Sequence, residues 1–192
     1  MEDIEQKTDE ELVGLVLTDQ DAFLYLVRRY EEKLSRYIAR ISNLDKDSME
    51  DVLQDVFIKV YKNLNGFDTS LKFSSWIYRI THNEVISNYR KFKNKTTAVR
   101  FDNEGEEFIK NLADDWDLEK DLNLKDLKKD VFLILEKMDL KYREVLILRF
   151  LEEKSYAEIS DILKKPEGTI ATLLNRAKKQ FLDRLNKSNI KI

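Results

Sequence analysis

Residues 155–179 read SYAEISDILKKPEGTIATLLNRAKK, and this stretch decides the fold. Ser155 and Glu158 have the spacing of a capping box, a hydroxyl at the N-cap and a carboxylate three residues on. They predict a helix over 156–163. Lys164-Lys165-Pro166 then breaks the chain, and Pro166-Glu167-Gly168-Thr169 opens a second helix over 167–186, proline being tolerated in a first helical turn. Two helices joined by so tight a turn form a helix-turn-helix.

The second helix divides by face. Ile170, Leu174, Ala177, Phe181 and Leu185 recur at helical spacing and form the stripe expected to be buried. At about 100° per residue, Thr169, Thr172, Asn175, Arg176 and Lys179 fall on the opposite side. Hydroxyl, amide and cationic groups in that arrangement suit the phosphates and base edges of duplex DNA. Lys178 is counted with them as a third cation. A helical hairpin with a solvated outer face would carry the same pattern.

Upstream the helical period continues. The 192 residues contain only 4 Gly and 1 Pro, too few for the turns of an all-β sandwich or barrel, so an all-α chain is expected. Residues 21–41 carry Ala22, Phe23, Leu26, Val27, Tyr30, Leu34, Tyr37, Ile38 and Ile41 on one stripe. Residues 49–64 repeat it with Val52, Leu53, Val56, Phe57, Val60 and Leu64, and Asn65-Gly66-Phe67-Asp68 supplies a turn. A third long helix is predicted over 73–92. Residues 93–122 lose the period and are polar and acidic, a linker with a short helix over 117–122. Leu127, Val131, Leu135 and Met138 restart the pattern, and 142–151 forms another short helix. The predicted architecture is two small helical domains, 1–95 and 123–187, joined by an acidic linker over 96–122 and followed by a tail over 188–192.

The net charge of −3 hides segregation along the chain. Residues 1–21 hold eight acids and one Lys, and 101–121 nine acids and two Lys. Residues 72–100 hold seven bases and one Glu, and 164–192 eight bases and two acids. Binding follows the local field of a patch rather than the total, so the two basic segments remain candidates for nucleic acid. With no Cys and one His, His82, thiolate and His-rich metal sites are excluded, and no metal or other cofactor is expected. His82 is expected to serve as a surface or hydrogen-bonding residue. The acidic start, and the lack of any run of 18 uncharged apolar residues, predict neither a signal peptide nor membrane insertion, and a cytoplasmic, nucleoid-associated protein.

The basic segment at 73–92 reads FSSWIYRITHNEVISNYRKF. Arg79, Asn83 and Arg90 share one flank. Phe73, Trp76, Tyr78, Tyr89 and Phe92 interleave with them and with Lys91. Cations that follow a backbone beside rings that stack on bases suit single-stranded nucleic acid, and an amide such as Asn83 can read a base edge. Phe73, Ile77 and Ile80 are expected to be mostly core. On the helix before it, Asp51, Gln54, Asp55, Ile58 and Lys62 lie opposite the apolar stripe. An outward Ile beside an amide and two acids is a docking face in one reading and a solvated face in another.

The order of these features resembles the bacterial RNA polymerase sigma factors of the sigma-70 family, and most closely the small extracytoplasmic-function (ECF) group. The resemblance runs over roughly 10–187. Asp21-Ala22-Phe23, Leu26 and Arg29-Tyr30 are similar to the start of region 2. Asp51 to Tyr61 (DVLQDVFIKVY) resembles the segment that docks on the polymerase clamp, and Phe73 to Lys91 the segment that reads and melts the −10 element. Tyr142 to Phe150 and Ser155 to Lys178 resemble region 4, the −35 reader. The resemblance implies a non-enzymatic initiation factor, monomeric when free, whose partners are core RNA polymerase (beta-prime clamp and beta flap), promoter DNA and an anti-sigma factor. It implies core-polymerase contacts by Asp51, Gln54, Asp55 and Ile58. It implies −10 contacts by Trp76, Arg79, Asn83, Arg90 and Lys91, and −35 contacts by Thr169, Thr172, Asn175, Arg176, Lys178 and Lys179. The acidic linker looks like the family's connector, which mimics nucleic-acid charge. Four positions depart from the usual pattern: Ala171 and Leu173 stand where the family has Lys and Arg, Lys164 where it has Gly, and Ser87 where it has Asp. The competing readings are a helix-turn-helix regulator acting on duplex DNA without polymerase, and an enzyme on a helical scaffold. The second finds no nucleophile-base pair and no Gly-rich phosphate loop.

Overall fold

The computed structural model describes residues 4–42, 44–95 and 130–187. The predicted linker over 96–122, its helix over 117–122, Leu127 and the tail over 188–192 lie outside the described residues. The rest forms two compact units, carried mainly by 4–38 with 46–95 and by 130–160 with 164–187.

Among the described residues, the first unit has four helices. Helix α1, Asp9–Val16, had no counterpart among the helices expected from periodicity. It is opened by a capping box: Thr8 Oγ1 accepts from the Glu11 N–H at 3.2 Å, and Glu11 Oε2 accepts from the Thr8 N–H at 2.8 Å. That backbone bond, ahead of the hydroxyl's, holds the Glu11 carboxyl below its ordinary pKa. Leu12, Val13 and Val16 are buried. After a 3₁₀ turn at Gln20–Ala22, α2 spans Phe23–Ile41 and α3 spans Lys46–Asn63. Val52, Val56 and Val60 form the buried line of α3, four residues apart. A second 3₁₀ turn, Leu64–Gly66, ends α3 and turns Phe67 inward. Asp68 Oδ1 accepts from the Ser70 N–H at 2.9 Å, shaping the loop that leads into α4, Phe73–Lys95. The predicted helix over 73–92 therefore runs three residues further.

The rings of this unit pack as a cluster. Phe73 meets Tyr30 and Phe67 edge-on, both with centroids at 5.6 Å, and Trp76 lies at 5.1 Å from Phe67 and 5.7 Å from Phe73. Phe73 is core as expected, whereas the reading of Tyr78 as a ring flanking α4 is corrected. Phe73 is fully enclosed and Tyr78 is 3% exposed, its ring 5.0 Å from that of Tyr37, so both are core. Ile77 is core as expected, and Ile80 is half-buried.

In the second unit, α5 covers the described residues 130–136 and α6 spans Leu140–Leu146, starting two residues before the expected 142. The chain then continues as a wider π turn over Ile147–Leu151. Helix α7, Tyr156–Leu163, and helix α8, Glu167–Lys187, complete the unit. Val145, Ile147, Leu148, Ile159, Ile162, Ile170 and Leu174 are its most enclosed aliphatic side chains. Among the described residues, no helix is long and apolar enough to cross a membrane, and no group of three or more Asp, Glu, His or Cys could hold a metal ion.

Candidate nucleic-acid and polymerase interface

Local chemistry fixes the helix-turn-helix. Ser155 Oγ accepts from the Glu158 N–H at 3.2 Å, and Glu158 Oε2 accepts from the Ser155 N–H at 2.9 Å, the reciprocal bonds the sequence predicts. Lys164 ends α7 at φ 51°, ψ 47°, the left-handed conformation that usually calls for glycine. The N–H groups of Lys164 and Lys165 both reach the Ser160 carbonyl, the second at 3.2 Å, and Ser160 Oγ donates to the Lys165 carbonyl at 2.6 Å. Pro166 is the N-cap of α8 rather than its first helical residue: its carbonyl accepts from the Thr169 and Ile170 N–H groups at 2.8 and 3.1 Å.

The faces of α8 divide as its spacing predicts. Ile170, Leu174 and Ala177 have no exposed surface, Phe181 and Leu185 are half-buried, and Thr169, Thr172, Asn175, Arg176 and Lys179 are all exposed. Thr172 Oγ1 donates to the Gly168 carbonyl at 2.9 Å, which leaves its lone pairs as acceptors for a donor outside the helix. Lys178 is exposed but belongs to another sector, about 120° from the centre of that polar face. Its Nζ lies 5.3 Å from the ring centroid of Phe150 on the π turn. Ala171 and Leu173, in place of two cations, are half-buried.

On the first unit, Asp51, Gln54, Asp55 and Ile58 are exposed along one face of α3, opposite Val52, Val56 and Val60. Ile58 is 49% exposed, large for an aliphatic side chain. Tyr61, one turn further, is exposed as well and packs edge-on against Phe23 at 5.1 Å. Tyr61 ends the docking-like segment read from the sequence but was not among its named contacts, although its spacing of three from Ile58 places the two side by side.

The side chains proposed to meet single-stranded DNA divide on α4. Asn83 and Arg90 are exposed, Trp76 and Arg79 are partly buried, and the side chain of Lys91 lies outside the described residues. Trp76, Ile80, Asn83 and Glu84 face Lys59, Asn63 and Gly66 from the end of α3 across an open cleft of about 450 Å³. Buried Glu84 is paired with Lys59, and Asn63 Nδ2 donates to the Lys59 carbonyl at 2.7 Å. The cleft is thus lined by an indole, two amides and a charged pair. Lys59, Asn63 and Glu84 had no place in the sequence-derived site. Their meeting across two helices leaves no periodic trace.

Known proteins match over the same stretches. The family model for Sigma-70 region 2 matches residues 26–95, and that for Sigma-70 region 4 matches 129–181. The ECF RNA polymerase sigma factor SigW of Bacillus subtilis is 32% identical over 170 residues, covering 87% of this chain and 90% of the relative. The ECF RNA polymerase sigma-E factor of Escherichia coli K12 is 32% identical over 181 residues, 91% and 92% of the two chains. Among solved structures, CnrH in complex with the cytosolic domain of CnrY shares the fold at a TM-score of 0.69 and 23% identity, over 94% of this chain and 99% of that one. A helix-turn-helix with an outward polar face, a second helical unit with an exposed Ile58, and relatives at this identity over nearly their full length leave one conclusion: the chain belongs to the ECF RNA polymerase sigma factors, transcription initiation factors of the sigma-70 family.

Proposed function

We propose that residues 1–95 act as region 2 and 123–187 as region 4, with 96–122 as connector and 188–192 as tail. Asp51, Gln54, Asp55 and Ile58 dock on the beta-prime clamp of core polymerase. Trp76, Arg79, Asn83, Arg90 and Lys91 capture unpaired bases of the −10 element, with stacking and phosphate contacts offsetting the unstacking energy. Thr169, Thr172, Asn175, Arg176 and Lys179 enter the −35 major groove. Lys178, seated over Phe150, meets the DNA at the margin of that surface. The protein acts in the cytoplasm, as a monomer when free and without catalysis of its own.

The observation that carries this reading is the α3 face. An apolar Ile58 stands in solvent beside Gln54 and two carboxylates, on the unit whose next helix bears the cleft. A regulator acting without polymerase would use such a face for dimerisation, and binding to core polymerase separates the two readings. A solved relative, RpoE from Bartonella quintana, was crystallised with the anti-sigma factor NepR, and this supports an anti-sigma partner for the present chain. The decisive experiment is capture of core polymerase by the purified chain in the absence of any anti-sigma factor, followed by transcription of genomic DNA with start-site mapping. Failure to bind core refutes the reading. Asn83→Ala is expected to change the base preference at −10 more than the affinity for core, and an unchanged preference removes Asn83 from the readers.

A further inference from the structure

Three consecutive acids, Asp9, Glu10 and Glu11, open α1, and each makes a different bond. Glu11 caps its own helix. Asp9 accepts from Arg29 Nη1 at 2.7 Å and from the Tyr30 hydroxyl, tying α1 to α2. Burial, and then that bond to Asp9, raises the Tyr30 phenol well above its ordinary pKa, so it remains a donor throughout the working range. Glu10 leaves α1 altogether: its Oε1 accepts from the Phe73 N–H at 2.8 Å.

Phe73 is the first residue of α4, and its N–H is one of the donors that a helix cannot satisfy internally. Lys72, just before it, supplies the carbonyl for the Ser75 and Trp76 N–H groups at 3.2 and 3.3 Å. Its ammonium carries donors only and cannot cap. The N-terminal acceptor of α4 comes instead from 63 positions earlier in the chain, as a carboxylate at the positive end of the helix. The bond closes a ring of contacts: Asp9 holds Tyr30, Tyr30 packs on Phe73, and Phe73 donates to Glu10. Phe73 in turn packs on Trp76, which lines the cleft with Asn83.

We propose that Glu10 is a positioning residue for promoter melting: by holding the first N–H of α4 it fixes the seat of Trp76 and Asn83, and its loss impairs capture of the unpaired −10 strand without weakening attachment to core polymerase. This rests on the assignment of α4 to the −10 element given above. Glu10 touches neither DNA nor polymerase in this scheme; it acts through Phe73.

The test uses the full chain as holoenzyme. The probe is a fluorescent non-template strand spanning the −10 region of a promoter located by start-site mapping. Strand affinity and core affinity are measured for Glu10→Ala, Glu10→Gln and Trp76→Ala. Glu10→Ala is expected to weaken strand capture about fivefold, the factor that a missing N-cap is worth, with core affinity unchanged. Glu10→Gln keeps an oxygen acceptor without the charge and recovers roughly half of that loss on the free-energy scale. A merely structural role lowers the melting temperature and either leaves both affinities alone or moves them together. Either pattern overturns the proposal. If Glu10→Ala does not assemble with core, Glu10→Gln decides, and wild-type strand capture by it overturns the proposal. Trp76→Ala separates the two levels: if it binds the strand as tightly as wild type, the −10 assignment fails and the proposal falls with it. If it binds weakly while the Glu10 variants bind normally, the proposal alone fails.

Discussion

Replacing Lys164 by glycine should stabilise the helix-turn-helix. Lys164 sits at φ 51°, ψ 47°, where the Cβ of an L-residue crowds the following carbonyl. That conformation costs about 1–2 kcal/mol, and glycine is free of the cost. The turn cannot relax away from it. Two N–H groups converge on the Ser160 carbonyl, and Ser160 Oγ holds the Lys165 carbonyl at 2.6 Å. Against the gain stands the greater freedom of glycine in the unfolded chain, about 0.5–1 kcal/mol. The net is a stabilisation of roughly 0.5–1 kcal/mol, which moves a urea midpoint by about 0.5 M for a unit of this size. Because the Lys164 side chain makes contacts of its own, the informative pair is Lys164→Gly against Lys164→Ala: both lack the side chain, and only Ala keeps the strained Cβ. Urea unfolding followed by far-ultraviolet circular dichroism measures the difference. A Gly variant no more stable than the Ala variant refutes the reasoning, because the backbone would then not be strained at this position.

Other expectations follow from the exposed faces. The double substitution Gln54→Ala with Asp55→Ala should weaken core-polymerase binding while leaving the circular dichroism spectrum and melting temperature unchanged, since both side chains are exposed on α3. Arg176→Ala should reduce the slope of log affinity against log salt for promoter binding by about 0.9, the effect of leaving one phosphate without its cation, whereas Lys178→Ala, at the margin, should reduce it by less. Gly168 lies within α8, and a Cβ placed on it meets nothing within 4 Å. Gly168→Ala should therefore stabilise the unit by up to about 1 kcal/mol in thermal unfolding, and any accompanying loss of −35 affinity would report close approach of the DNA backbone at that position.

The residues of α8 were legible because one period governs them: a spacing of three and four assigns Ile170, Leu174 and Ala177 to the core and Thr169 and Arg176 to the outside with no knowledge of the neighbours. The start of α7 was legible from Ser155 and Glu158, whose bonds are local, and the turn from Pro166. Helix α1 was not, though Thr8 and Glu11 form the same kind of box. Its eight residues carry too short an apolar stripe to establish a period, and its acids read as bulk charge. On α4 the failure has another cause. Tyr78 stands among polar residues as a surface ring would, but Tyr37 arrives from α2 to enclose it, while Phe73, expected to be core, is enclosed by Tyr30 and Phe67. Pairings such as Lys59 with Glu84 and Glu10 with Phe73 depend on how α1, α3 and α4 pack, and sequence spacing carries no information about that.

The same distinction changes what the charge segregation means. Residues 1–21 look like an acidic field because eight acids stand against one lysine. Yet Asp9 is paired with Arg29, Glu10 faces the positive end of α4, and Glu11 is bonded to the Thr8 N–H and hydroxyl. With Asp19, which accepts from the Asp21 N–H at 3.1 Å, at least four of the eight are held in internal bonds, and their field is offset where it arises. The basic end behaves likewise. Residues 164–192 hold eight bases, but Lys165 lies 4.0 Å from buried Glu144 and Lys178 lies over Phe150, and between Thr169 and Lys179 the polar face of α8 carries Arg176 and Lys179. As the −35 reader proposed above, a stretch with two cations and three uncharged hydrogen-bonding side chains would attract DNA less than the segment total suggests, and would leave a larger share of recognition to hydroxyl and amide contacts. That is the composition expected of a reader whose affinity comes from attachment to a larger DNA-bound machine, where a second, weakly charged contact supplies selection rather than capture.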